Sequence, residues 1–593
     1  MTEQPSQTET QHAAGDAAWG ETTTPPRPWR SGRWSLVLRD DELADIRFGG
    51  RLSIRSIRGV ARDRDWGTIA PAVTAVAATA DRLTVQVALV GRDARLDARL
   101  VVEARGDALE VRWECRANAD FLRNRLGLVV LHPPGVAGEA LRVTRPDGAV
   151  EQTAFPSAIS PHQPAFDIRA LGWGHAGLAT SVEFGGDVFE MEDQRNWTDA
   201  SFKTYSTPLS LPFPVRVAGG ETVTQTVTIS CEADAPEPGA PSADRVELVA
   251  APAGRTFPSV GVSASTGAAL PPAAAVGDFL LVEVPAHTGA WRTVLDRAVL
   301  EATGRPLDVR IVGAAPERLD EVLDALAPLN LLRVGAFTAD THGSESALWT
   351  ALVDGLDARG IRAQPVGGTR AHFAELNRTH PRLPAGIPAH TVSITPEMHA
   401  TGREQIVESI AMQTLVAQNA VRITGTPVHI GPVTLRARFN AVATTPTPDA
   451  QIDDLRAGYG AAVNPDATDP RQSSEALQAW TVASAAALAV EGVASVVWFE
   501  ASGPRGLGGD ASAPAFPVAT ALRWISGIAG APLLHAPAAP EGIWAVGGQV
   551  DGASVALVAN LRSVPATVTV ATPQGEERVE LAPFAARRLR HGG

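Results

Sequence analysis

Residues 308–337 read DVRIVGAAPERLDEVLDALAPLNLLRVGAF: a short apolar run, a helical pattern, and a second apolar run. Within the middle section Leu319, Val322, Leu323 and Leu326 fall at i, i+3, i+4 and i+7, which is one face of a helix. Pro316 stands at its first helical position, where a missing N–H leaves nothing unsatisfied. A strand, a helix and a strand in succession imply a parallel pair joined by a right-handed crossover. The unit repeats. Apolar strands centred near Ser259, Leu281, Ile311, Leu332, Ala363, Val392, Val428 and Val497 make eight within about 250 residues, the count of a closed (β/α)8 TIM-like barrel rather than an open sheet. One of the helices opens with Thr401-Gly402-Arg403-Glu404, the pattern of a capping box, ahead of Ile406, Val407, Ile410 and Ala411.

On the N-terminal side of this region the period changes to two. Residues 83–90 (LTVQVALV), 95–103 (RLDARLVVE), 108–115 (ALEVRWEC) and 222–230 (TVTQTVTIS) alternate apolar and polar side chains, as strands with one buried face do. They predict an N-terminal antiparallel β-sandwich. Ala233 to Ala243, rich in Pro and Ala, reads as a linker. Beyond Leu533 four short segments alternate again and predict a small C-terminal β-sandwich. The fold class is therefore multidomain α/β plus all-β. The expected division is a disordered leader over residues 1–30, a sandwich over 31–240, a barrel over 245–535 and a β domain over 540–593.

Composition narrows the function. At roughly 150 residues per domain, 593 residues accommodate this plan, and 45% apolar side chains suffice for several cores. A net charge of −14 without a basic stripe argues against nucleic acid and anionic membrane as partners. The polar N-terminus lacks an export signal and no apolar run reaches about 18 residues, so a cytoplasmic location is expected. Cys115 and Cys231 are too few for a disulfide framework. His/Cys metal spacings and a G-x-S-x-G elbow are lacking, and Gly503 to Gly509 lack the Lys of a phosphate loop; no cofactor and no metal are expected.

In a barrel, residues that follow the strands converge on one mouth. Glu500 ends the run SVVWF at 495–499, and Glu375 follows the fifth strand in GGTRAHFAELNR, residues 367–378. Two carboxyls at one mouth divide general acid and base work when their environments differ, so Glu375 and Glu500 are the expected catalytic pair. Asn377 and Arg378 beside Glu375, His399 after the sixth strand, and Arg436, Arg438 and Asn440 in TLRARFN after the seventh are the expected substrate-binding groups. The densest polar stretch lies outside the barrel: FEMEDQRNWTDASFKTY, residues 189–205, carries four acids, one of two tyrosines and Lys203, the one lysine among 51 basic side chains. A lone ammonium in an arginine-saturated chain marks a place where a compact point charge is needed, so Lys203 joins the expected site. The same stretch also reads as a buried loop that fastens the sandwich to the barrel.

That stretch, together with ARDRDWGT at 61–68, FPSAISPHQP at 155–164, GGTRAHFAELNR, TLRARFN and DPRQ at 469–472, resembles the bacterial D-apionate lactonase family over nearly the whole chain. The resemblance implies an N-terminal β domain, a TIM barrel, a C-terminal β domain, and hydrolysis of a branched sugar-acid lactone in apiose catabolism. The substrate expected is a small carbohydrate or sugar lactone; the sequence leaves the oligomeric state unknown. Two other functions fit the same pattern. One is a glycoside hydrolase using two glutamates at the mouth; the other is a carbohydrate-binding protein without turnover.

Overall fold

The computed structural model describes residues 15–20, 25–233, 245–269, 276–441, 454–509 and 515–592. Among these, the N-terminal region forms two nine-stranded, mostly antiparallel sheets packed face to face. Period two drives it. In Arg82–Gly91, Leu83, Val85, Val87 and Leu89 enter the sandwich core while Arg82, Thr84, Gln86 and Ala88 do not. The expected linker lies almost wholly outside the described residues.

Eight parallel strands then close into a barrel: Ser259–Ser263, Phe279–Pro285, Leu307–Val312, Leu331–Phe337, Gln364–His372, His390–Ile394, Val428–Val433 and Val493–Glu500. Seven of the eight expected centres fall inside these strands, and Ala363 adjoins the fifth. The first strand pairs with both the second and the eighth, which completes the ring. The helix Pro316–Leu326 buries Leu319, Val322, Leu323 and Leu326 against the barrel, as their spacing requires. Inside the ring Asp308 accepts hydrogen bonds from Arg310 and Arg333, and all three are buried. Burial pushes the Asp308 carboxyl up, but the two guanidiniums outweigh it and hold it well below the usual carboxylate range.

Four expectations shift at the edges. The helix Arg403–Thr424 begins one residue later than the capping-box pattern implies, with Gly402 as its cap and no side-chain capping bond. Glu404 pairs instead with Arg403 at 2.9 Å, an ion pair that takes the carboxylate away from the cap. Residues 15–19 within the expected leader are helical, and Trp19 is buried edge-on against Phe584 with ring centroids 5.9 Å apart. A single aromatic anchor orders a segment whose composition alone reads as unstructured. Finally, Arg245–Glu247 pairs in parallel with Ala566–Thr572, and Val249–Ala250 pairs with Leu533–His535. Both ends of the expected barrel range thus belong to the C-terminal sheets, because short strands gain more from completing a sheet edge than from standing alone. No helix among the described residues is long and apolar enough to cross a membrane.

Candidate active site

The site begins with a sheet that has two faces to satisfy. Strands Arg51–Asp63, Phe121–Leu131, Phe202–Tyr205 and Phe189–Asp193 lie side by side in that order. Their inward residues, among them Ile57, Ala61, Leu126, Leu128, Val130 and Phe202, fill the sandwich core. Alternation sends Arg58, Arg62, Arg125, Lys203, Tyr205, Glu190 and Glu192 to the opposite face. That face meets the barrel mouth. Between them lies a cavity of about 130 Å³, lined by Arg62, Arg125, Asp199 and Lys203 from the sheet side and by His399 and Gln405 from the barrel.

The turn that follows Asp193 carries the polar stretch onto the barrel. Asn377 donates to Asn196 at 2.9 Å and to the Ile159 carbonyl at 3.1 Å, and Thr198 donates to the Thr395 carbonyl at 3.4 Å. Arg378 stacks over Trp197 at 5.0 Å and donates to the Pro161 carbonyl at 3.2 Å. Asn377 and Arg378 therefore fasten one domain to the other. Thr198 and Ser201 hold φ of 67° and 113°, left-handed values that are costly for non-glycine residues. They flank Asp199 and aim it at the barrel.

Asp199 Oδ2 lies 2.5 Å from His399 Nδ1, and Gln405 donates to its other oxygen at 2.8 Å. Trp197 packs edge-on against the imidazole with centroids 5.2 Å apart. With Nδ1 engaged, Nε2 is the nitrogen left for a reaction. Burial, then the charges of Lys203, Arg62 and Arg125, push the His399 imidazolium well below the ordinary histidine range, so the ring stays neutral. Burial pushes the Asp199 carboxyl the other way, against the pull of Lys203 and Arg62. Lys203 forms an ion pair with Glu192 at 2.6 Å; burial, followed among the lowering influences by Arg125 and Arg62, brings its ammonium down to about 8. The arrangement is an oriented, uncharged imidazole and a cation lining one cavity.

The other expected residues do not line that cavity. Arg438 donates to Glu283 at 2.6 Å, a carboxylate it shares with Arg370, and to Ser393 at 3.0 Å. His372, buried beside this group, is lowered to about 3 by burial and then by Arg438. Arg436 pairs with Asp469 at 2.8 Å and approaches Glu397 at 3.4 Å. Burial and Asp469 raise Glu397 well above the usual range, and neither of its oxygens has a hydrogen-bond partner. Glu500 accepts from Thr266 at 2.6 Å and from Arg505 at 2.9 Å. Glu375 is the third residue of the helix Phe373–Thr379 and accepts the His372 backbone N–H at 3.1 Å; burial raises its carboxyl. Glu375 and Glu500 share no hydrogen-bond or ion-pair partner among the described residues. Asn440 is exposed. Lys203 and His399 are brought to one cavity, while Asn377 and Arg378 hold the 194–197 turn and the 159–161 segment. Sequence reasoning did not single out Asp199, Arg62 or Arg125, although Asp199 lies in the polar stretch and Arg62 in ARDRDWGT.

Comparison with known proteins follows the same outline. The family model described as D-apionate lactonase, N-terminal domain, matches residues 15–234, and that described as D-apionate lactonase, TIM barrel domain, matches residues 272–530. A D-apionate lactonase of Brucella anthropi is 26% identical over 615 residues, spanning 96% of this chain and 98% of that protein. Among solved structures, a GH30 endoxylanase from Clostridium papyrosolvens is 9% identical with a TM-score of 0.38, over 59% of this chain and all (100%) of that one. A putative aldose 1-epimerase of Escherichia coli is 10% identical with a TM-score of 0.28, over 35% of this chain and 99% of that one. Two domain models that together cover most of the sequence, and a relative aligned almost end to end, place the chain in the D-apionate lactonase family.

Proposed function

We propose that the protein hydrolyses a sugar-acid lactone of the D-apionolactone type to the free aldonate, in the cavity between the sandwich and the barrel mouth. The observation that carries this reading is the His399 imidazole, held by Asp199 at 2.5 Å and lining one cavity with Lys203. Lactone opening needs a base for water and a charge to receive the oxyanion. With Asp199 accepting the Nδ1 hydrogen, His399 Nε2 takes a proton from water as the water oxygen bonds to the carbonyl carbon. The carbonyl electron pair moves to oxygen, and the Lys203 ammonium stabilises it. Collapse breaks the ring C–O bond, and the imidazolium returns its proton to the leaving alkoxide, giving a hydroxyl and a carboxylic acid that ionises. Glu375 and Glu500 are proposed in supporting parts only: the first fixes the start of the helix that carries Asn377, the second organises Thr266 and Arg505 at the end of the eighth strand.

The test is an assay of purified protein against D-apionolactone, other aldonolactones and aryl glycosides, with acid release and reducing sugar followed in parallel. Acid release from lactones is expected, and His399→Asn lowers kcat by about 100-fold or more. Turnover of aryl glycosides with lactones untouched favours the glycosidase reading, and sugar-acid binding without product favours the non-catalytic one. Either result, or full activity in His399→Asn, refutes the proposal. If Glu375→Gln and Glu500→Gln each lose turnover to the same degree as His399→Asn, the two glutamates are the working pair instead.

A further inference from the structure

Two arginines at this cavity lack what every comparable charge around them has. Arg58 is paired with Asp41 at 2.6 Å, Lys203 with Glu192 at 2.6 Å, and Arg55 with Glu408 at 2.7 Å. Arg62 and Arg125 stand directly opposite one another on adjacent antiparallel strands, and neither forms an ion pair among the described residues. The Nε of each is buried with no hydrogen-bond partner. Like charges facing across a sheet repel, and burial magnifies the repulsion. Arg62 registers both, with burial first and Arg125 second bringing its guanidinium down to about 10. The Arg125 guanidinium lies over the Tyr205 ring at 3.6 Å and within 5.7 Å of the Trp66 centroid. Stacking fixes the plane of the fork and leaves its edge for an in-plane acceptor.

We infer that Arg62 and Arg125 form a carboxylate subsite that takes the acid group of an open-chain aldonate. A planar carboxylate between two guanidinium edges supplies the missing acceptors and cancels the repulsion in one step. The identity of the ligand rests on the lactonase reading; the preference for a carboxylate does not. A neutral lactone offers this pair only uncharged acceptors, whereas its ring-opened product carries one negative charge. The subsite therefore favours product over substrate and makes the protein sensitive to inhibition by its own product.

Calorimetric titration of the full-length protein with sodium D-apionate, with the alditol of the same carbon skeleton, and with inorganic phosphate tests this without reference to turnover. The aldonate is expected to bind at least about 10-fold more tightly than the alditol, and Arg62→Gln and Arg125→Gln each to remove about 10-fold or more of aldonate affinity while alditol binding stays as in wild type. Arg125→Lys, which keeps the charge and loses the fork, is expected to retain only part of the affinity. Equal binding of aldonate and alditol, phosphate binding as tight as aldonate, or wild-type aldonate affinity in variants whose near-UV circular dichroism is native overturns the subsite. Aldonate binding with no hydrolysis of any lactone refutes the proposed function and leaves the subsite standing.

Discussion

His399 and Lys203 are displaced from their ordinary ionisation in the same direction, and under the proposed mechanism both displacements carry into the pH dependence of turnover. The imidazole is a base only while unprotonated. Because its imidazolium is held well below the ordinary range, kcat/KM is expected to stay level as pH falls past about 6.5 and to drop only at lower pH. The Lys203 ammonium, brought down to about 8, is lost as pH rises, so kcat/KM falls again above about 8. A pH–rate profile of the free enzyme checks both limbs. Lys203→Met should remove the alkaline limb and lower the plateau by about 100-fold, the usual cost of losing one oxyanion-stabilising group. An alkaline limb retained in that variant would mean another group titrates there. At this scale the sequence was partly legible: a lysine that stands alone among arginines pointed to the stretch from which Asp199 and Lys203 reach the cavity. Asp199 was not distinguishable from the three other acids beside it, because what selects it is the left-handed backbone at Thr198 and Ser201.

At the scale of elements, the strands were read from apolar runs and alternation and the ring from their number. The fully buried run Leu307–Val312 reads as a barrel strand even though Asp308 and Arg310 interrupt its apolar character. Their charges are compensated within the barrel, which no one-dimensional pattern reveals. Replacing Asp308 by Asn leaves the Arg310 and Arg333 guanidiniums buried without their counter-charge, and is expected to cost about 3–5 kcal/mol. The midpoint of urea unfolding measures it. The depressed Asp308 carboxyl stabilises the fold above its unfolded pKa, near 4, and that contribution fades as pH falls through the lower folded value. The gap between wild type and Asp308→Asn should therefore narrow in acid. A gap that widens in acid would contradict the assignment of charge. Element boundaries were less legible, since Gly402 in place of Thr401 at a helix start, or Val249–Ala250 joining the C-terminal sheet, depends on partners far along the chain.

For the whole molecule, the proposed site is assembled where the domains meet. Asp199 and Lys203 come from the sandwich, His399 and Gln405 from the barrel, and the Asp199–His399 contact joins residues 200 positions apart. Separations of that kind are invisible to periodicity, and sequence reading, which weighs residues that follow the barrel strands, drew its expected pair, Glu375 and Glu500, from the barrel alone. The interface is itself built: Asn377 and Arg378 secure the turn from one side, and Arg55 reaches Glu408 from the other. The most direct measurement is a double-mutant cycle across it, with kcat on D-apionolactone determined for wild type, Asp199→Asn, His399→Asn and the double variant. If the two residues act as one unit, each single change lowers kcat by about 100-fold or more and the double variant is no slower than the worse single. Losses that multiply, or a single variant with wild-type kcat, would show that the sandwich and the barrel do not share the catalytic base.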